Sequence, residues 1–147
     1  MATLLATRTA QYPLVAEFVW DFGAADQMLN TTPVMDAGTT VAAHAYDCIN
    51  LPNNAEVIGG EITTETAITG STAFNVIVGD SGSTNRYLTT TDKTTAARTA
   101  LVPTGFVGAG ENIRITWTPT VGAVTGGKFS LRVQYVVRGR GNEVQAV

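Results

Sequence analysis

Apolar residues fall on every second position along two stretches near the end of the chain. In the first, Ile113, Ile115 and Trp117 share one side while Asn112, Arg114, Thr116 and Thr118 share the other. In the second, Phe129, Leu131, Val133, Tyr135 and Val137 alternate with Lys128, Ser130, Arg132, Gln134 and Arg138, a pattern broken only by Val136. Successive side chains of a strand point to opposite faces, whereas a helix needs spacings of three and four, so period two predicts two half-buried β-strands. Residues 119–127 lie between them, with Gly122, Gly126 and Gly127 as turn residues, and the pair reads as a hairpin.

The same reading extends upstream. Pro13 opens a strand in which Leu14, Ala16, Phe18, Trp20 and Phe22 face one way and Glu17 and Asp21 the other. Val15 and Val19 make the second face partly apolar, which predicts a strand covered on both sides. Residues 23–38 read as loop, with a short helical turn near 24–29. A strand is predicted over 40–51, ended by Pro52, Asn53 and Asn54. The next starts at Glu56, with Ile58, Gly60, Ile62, Thr64, Thr66 and Ile68 facing inward and Glu61, Thr63 and Glu65 outward; Gly59 and Gly60 mark a bulge or a close backbone approach. Residues 73–78 form a short apolar strand ending at Gly79-Asp80, 86–90 another, and 92–100 a loop or edge strand. Pro103 and Gly105 interrupt 101–107. About eight strands at short intervals predict one all-β antiparallel sandwich or barrel over 13–138, with an N-terminal arm, 1–12, and a C-terminal tail, 139–147.

Composition changes this picture in three places. Hydrophobic residues make up 44% of the 147 positions but charged residues only 14%, against roughly 25% in ordinary soluble domains, so polar surface must come from elsewhere. Thr supplies it, in runs at 31–32, 39–40, 63–64 and 89–91, and its branched Cβ suits a pleated sheet. A net charge of −3 and a pI near 5.0 give no general attraction to nucleic acid. The single cysteine, Cys48, permits no intrachain disulfide, which points to folding in a cytoplasm. Residues 1–11 hold one Arg and no signal-peptide apolar run, and nowhere do ~18 apolar residues follow one another, so neither a secretory signal nor a membrane span is expected.

Candidate chemistry is thin. Ala42-Ala43-His44 and Gly79-Asp80-Ser81-Gly82 resemble the histidine and serine signatures of trypsin-like proteases. Such an enzyme needs an orienting carboxylate from a separate strand, and the Asp candidates between them, Asp47 and Asp80, are each a near neighbour of one partner. His44 therefore reads as an ordinary strand residue and 80–85 as a hairpin loop. Gly105, Gly108 and Gly110 lack phosphate-loop spacing. His44 and Cys48 share a strand face but have no further soft ligands, and Asp80 with Asn85 lacks the ligand spacing of a calcium loop, so no metal or cofactor is expected. Lys128, Arg132, Arg138 and Arg140, with Arg114 from the preceding strand, stand out as a basic stripe on an acidic chain: five of nine basic residues fall in the last third. The plain reading is a solvated sheet face; the functional one is a docking surface for an acidic partner.

Several segments in order carry a resemblance: Ile58-Gly59-Gly60-Glu61, Thr66-Ala67, the run from Ser71 to Asp80, Asn85-Arg86-Tyr87-Leu88, and Gly127 to Val137. Over roughly 56–138 this pattern resembles the small virion structural proteins of tailed bacteriophages, the head decoration or cement class above all, with tail or neck components as neighbours. The resemblance implies a jelly-roll-like β-sandwich, often trimeric, that is made in the host cytoplasm and binds the outside of the assembled head. There it would bridge major capsid subunits without catalysing a reaction and without a cofactor, nucleic acid or membrane as direct partner. Leu4, Leu5, Arg8 and Tyr12 of the arm and Arg114, Lys128, Arg132, Arg138 and Arg140 are then the candidate interface. A virion-displayed glycan- or receptor-binding sandwich is the alternative, since Trp20, Trp117 and the tyrosines offer rings for stacking on sugars.

Overall fold

The computed structural model describes residues 13–22, 43–122 and 124–139. In chain order its strands are β1 (Leu14–Asp21), β2 (His44–Asn50), β3 (Asn53–Thr69), β4 (Ala73–Gly79), β5 (Leu88–Asp92), β6 (Arg98–Ala100), β7 (Val107–Ala109), β8 (Asn112–Thr120) and β9 (Gly126–Val137). No helix occurs among the described residues. One sheet runs β1-β9-β3-β6, with β7 also pairing with β3; the other runs β2-β8-β4-β5. Every pairing is antiparallel. Because β6 and β7 both pair with the 17-residue β3, they stand for one interrupted strand, and Pro103 and Gly105 lie in the gap. Eight strand positions in this order are the two interleaved Greek keys of a jelly roll.

The two alternating stretches at the end of the chain are both strands, but they are not a hairpin. β8 lies between β2 and β4 in one sheet, and β9 between β1 and β3 in the other. The alternation states which side of each strand is buried, not which strand lies beside it. Crossing between sheets sets the two apolar rows face to face, with the Trp117 and Phe129 rings 6.1 Å apart across the core. Trp20 of β1 meets Trp117 edge-on at 4.6 Å, Tyr46 of β2 stacks on Trp117 at 4.6 Å, and Phe74 of β4 faces Phe129 at 5.8 Å. Aromatic pairs of this kind add about 0.5–1.5 kcal/mol each beyond the area they bury.

Bulges correct the expected alternation in β3. The register against β9 slips between Val57 and Gly59 and again between Thr64 and Thr66. As a result Val57 is buried, Ile58 is 38% exposed rather than inward, and Thr66 is exposed, while Ile62, Thr64 and Ile68 keep their inward places. Gly60, at φ 144°, is the close approach expected of the glycine pair: a Cβ there would fall 2.3 Å from the Arg132 carbonyl oxygen. β1 also departs from expectation. Its Ala16, Phe18 and Trp20 turn to the core, but Val15 is 57% and Val19 41% exposed, so among the described residues its second face is not covered. The loop expected at 23–38, with its helical turn, lies outside the described residues.

Trp117 touches both sheets' aromatic residues, so its removal should cost more than an ordinary core truncation. Trp117→Ala is expected to lower stability by about 3–5 kcal/mol, near the top of the range for large-to-small core changes. Urea denaturation followed by fluorescence and circular dichroism checks this against Ile113→Val, expected to cost about 0.5–1.5 kcal/mol.

Candidate functional site

The alternation that buries one side of each strand projects the other into solvent, and the two outer faces of the sandwich differ in kind. On the β1-β9-β3-β6 face, register places Glu17 beside Arg132 and Arg132 beside Glu61. Arg132 donates from Nη2 to Glu17 Oε1 at 2.8 Å and from Nη1 to Glu61 Oε1 at 3.4 Å, and Glu61 also accepts from Arg98 Nε at 3.0 Å. One row of alternating charge thus ties all four strand positions of the sheet. On flanking rows Lys128 Nζ pairs with Glu65 at 2.9 Å and Arg138 Nε with Glu56 at 2.6 Å. These partners hold Glu56 and Glu65 below the usual carboxylate range and raise Lys128, Arg132 and Arg138. Solvent screening leaves such exposed pairs little weight in stability.

Arg114 belongs elsewhere. It projects from β8 on the opposite sheet, where Asp47 of β2 takes it with both oxygens, at 2.7 and 3.2 Å. The expected basic stripe is therefore divided between two faces, and its described members are each matched by a carboxylate. The reason is strand order: β9 lies between β1 and β3, whose outward rows supply Glu17, Glu56, Glu61 and Glu65. Apart from the Arg114–Asp47 pair, the middle of the opposite face presents Ala45, Ala73, Asn75, Ile77, Thr116 and Thr118, a nearly uncharged surface. Leu4, Leu5, Arg8, Tyr12 and Arg140 lie outside the described residues. Their points of departure do not: Leu14 pairs with Tyr135, and β9 ends at Val137, so the chain on either side of the body leaves from adjacent strands at one end of the sandwich.

At that end the loop after β4 holds the most heavily bonded carboxylate among the described residues. Asp80 is buried; Oδ1 accepts from the Gly82 and Ser83 amides at 2.9 and 2.8 Å, and both oxygens are gripped by Arg86. Arg86 in turn lies 3.6 Å over the Phe106 ring, a cation–π contact. Burial works to raise the Asp80 pKa, but the Arg86 hydrogen bond and the two amides outweigh it and hold the carboxyl below its usual range. With its oxygens so engaged, Asp80 pins the loop and the calcium reading of 80–85 loses its main ligand. Sequence reasoning missed this clamp, although an Asp two residues before Gly82 is an Asx-turn signal. It also missed Lys93, which is buried with Nζ donating to the Ala97 carbonyl at 2.7 Å and Thr99 Oγ1 at 3.1 Å; burial pushes its pKa down, offset in part by Asp92. Both Lys93 contacts close the β5–β6 loop.

The other candidates are not assembled. His44 stands opposite Trp117 on β8 whereas Gly79, just before Asp80 and Ser81, stands opposite Arg114. That places His44 and the Ser81 loop about 10 Å apart along the strands and two strand spacings of about 5 Å across them. Cys48 Sγ donates to the Ile113 carbonyl at 3.3 Å, and burial pushes its thiol up to about 12, which leaves little thiolate for metal or redox chemistry. Among the described residues no three His, Cys, Asp or Glu side chains cluster in a way that would hold a metal ion. Trp20 and Trp117 are each 3% exposed, so neither offers a sugar a ring to stack on.

What the geometry defines is a jelly-roll β-sandwich with one charge-laced face, one nearly uncharged face and both flanking segments leaving from one end. No family model matches the chain, and no curated protein matches it. Solved structures do. A chain in the capsid asymmetric unit of cyanophage Pam1 is similar over 92% of this chain and 94% of its own, at TM-score 0.58 and 21% identity. A chain in the acid-stable capsid of Helicobacter pylori bacteriophage KHP30 is similar over 85% of this chain and 87% of its own, at TM-score 0.54 and 17% identity. These likenesses establish a shared fold.

The Asp80 clamp yields a pH-dependent expectation. A carboxylate whose folded pKa is depressed stabilises the fold above its unfolded pKa, about 3.9, and loses that contribution as pH falls through the folded value. Asp80→Asn is therefore expected to lose about 1.5–3 kcal/mol at pH 7, the scale of hydrogen bonds to a charged group. The gap from the parent should narrow below pH ~3.9. Denaturant titrations of both proteins from pH 7 to pH 2.5 check this; a gap independent of pH would mean that the charge of Asp80 contributes nothing.

Proposed function

We propose that this chain is a bacteriophage head decoration, or cement, protein that binds the outside of the assembled capsid and bridges major capsid subunits without catalysing a reaction. The observation that carries this reading is the likeness, over nearly the whole of both chains, to a chain in the cyanophage Pam1 capsid asymmetric unit, repeated with a chain in the KHP30 capsid. The surface supports it. Basic groups interleaved with carboxylates offer no patch for a nucleic-acid backbone among the described residues, which suits a protein outside the shell rather than against packaged DNA.

Attachment in this reading runs through the end from which both flanking segments leave. Leu4, Leu5 and Tyr12 are the apolar anchors and Arg8 and Arg140 the charged ones, with Arg138 at the end of β9 as the nearest described neighbour. Lys128, Arg132 and Arg114 join only where a capsid carboxylate takes the place of a resident one, so they contribute register more than affinity. An arm that orders on its neighbour adds contact area against an entropic cost. Three copies joined as a homotrimer would engage several capsid sites at once, turning modest contacts into high avidity.

Expanded capsids of the parent phage prepared without this chain provide the test. Adding the purified protein should saturate a fixed number of sites and raise the temperature at which the shells open, and a variant lacking residues 2–12 should bind at least ten-fold more weakly. Capsids that neither bind the chain nor change their heat resistance would sink the proposal; density on the tail or neck in electron micrographs would reassign it to that part of the virion.

A further inference from the structure

Two non-glycine residues among those described have positive φ, Asn54 and Val121, and only asparagine is a type that tolerates the left-handed region. Val121, at φ 51°, follows β8, and its branched Cβ makes that conformation costly. The fold uses little of its side chain. Val121 is 67% exposed, the most exposed of the large apolar side chains described, whereas Val124 three residues on is buried in the core. The backbone beneath it is fixed by bonds between the β3–β4 turn and the β8–β9 connection. The Thr72 amide donates to the Thr120 carbonyl at 3.0 Å, the Thr120 amide to Ser71 Oγ at 2.9 Å and the Thr125 amide to the Thr69 carbonyl at 2.8 Å. The two segments touch so closely that a Cβ at Gly122 would fall 2.4 Å from the Gly70 carbonyl oxygen. A strained residue that its surroundings over-determine, and that they aim at solvent, has the character of a contact group.

The segments that build this tip are also the long uncharged ones: neither 66–79 nor 115–127 contains an Asp, Glu, Lys, Arg or His. Pairing of Thr69 with Gly126 and of Ala73 with Thr120 puts the tip at the end of the sandwich opposite Leu14 and Tyr135. At about 3.3 Å per strand residue, the 12 residues of β9 hold the two ends roughly 35 Å apart. We propose that Val121 is an apolar contact seated in an uncharged recess of a major capsid subunit, the second of two attachment points of this chain. The proposal rests on the decoration reading and deepens it, because a protein that bridges subunits needs two separated contacts and the flanking segments leave from one end only. An uncharged recess is the partner this chemistry fits. Burying the tip strips water from no ion of its own segments, and the valine gains by leaving water. A nucleic acid or a charged peptide finds no ion there to pair with. The stapled backbone has little conformational freedom left to lose on docking, which favours a small contact repeated over a lattice.

Val121→Asn separates the contact from the fold, since asparagine accepts the left-handed backbone and removes the apolar group. The variant should melt at or above the parent's temperature yet bind expanded capsids, prepared without this chain, at least ten-fold more weakly. Val121→Gly, which relieves the strain in another way, should behave alike and serves if the first variant does not fold. Capsids that bind the parent and both folded variants equally would overturn this proposal alone; capsids that do not bind the parent would overturn the decoration reading with it. A lower melting temperature in both variants would mean that the valine packs within its own chain. A change in the sedimentation of the free chain would mean that it meets a second copy. Either result overturns the capsid contact.

Discussion

The meeting of Trp117 with the aromatic residues of the facing sheet is the constraint on which this molecule depends. Trp117 comes from the middle of one sheet and Trp20 and Phe129 from the other, and the three rings close on one another within 4.6 to 6.1 Å. A sheet with one apolar face has no stable existence until something covers that face. With few charges in the chain and no disulfide among its residues, hydrophobic contact between the sheets is the main term holding the fold. The bulges of β3 and the close approach at Gly60 follow from it, since the longest strand must bend to keep Val57, Ile62 and Ile68 against the same core.

Charge is then distributed by strand order rather than by sequence. Arg132 lies between two acidic neighbours that are 115 and 71 residues away along the chain, and these contacts exist only because β9 enters between β1 and β3. The interleaving neutralises one face without removing its ions. Such a face stays well hydrated and resists non-specific adhesion, while the opposite face achieves low charge through Thr, Ala and Asn.

How much of this could be read in advance divides along the same line. Period two in 113–117 and 129–137 identified both strands and their buried sides correctly, because burial acts residue by residue and leaves its trace in local order. Pairing does not. The same alternation is compatible with a hairpin and with two strands in opposite sheets, and only the need of each row for a facing row separates them. For the same reason Arg114 and Arg132 looked like members of one stripe although the core lies between them. Ile58 was misplaced because a bulge inverts every side chain beyond it, and nothing in Val57-Ile58-Gly59 states on which side the extra residue will sit. The Asp80 clamp was within reach, since Asp, Gly and Arg at short spacing form a local motif; the burial of Lys93 was not, since it depends on a loop closing over its stem.

The adjacency of β1 and β9 has a mechanical consequence. A load applied between Pro13 and Gly139 would act on neighbouring antiparallel strands from the same end and peel them apart one rung at a time, starting at Leu14 and Tyr135 and reaching Asp21 and Lys128 last. Peeling breaks bonds in succession and so yields at low force. A load entering through one terminal segment and leaving through a sheet face or the far end would instead shear all the rungs of β1 together. The sandwich is therefore stiff or compliant according to where it is held.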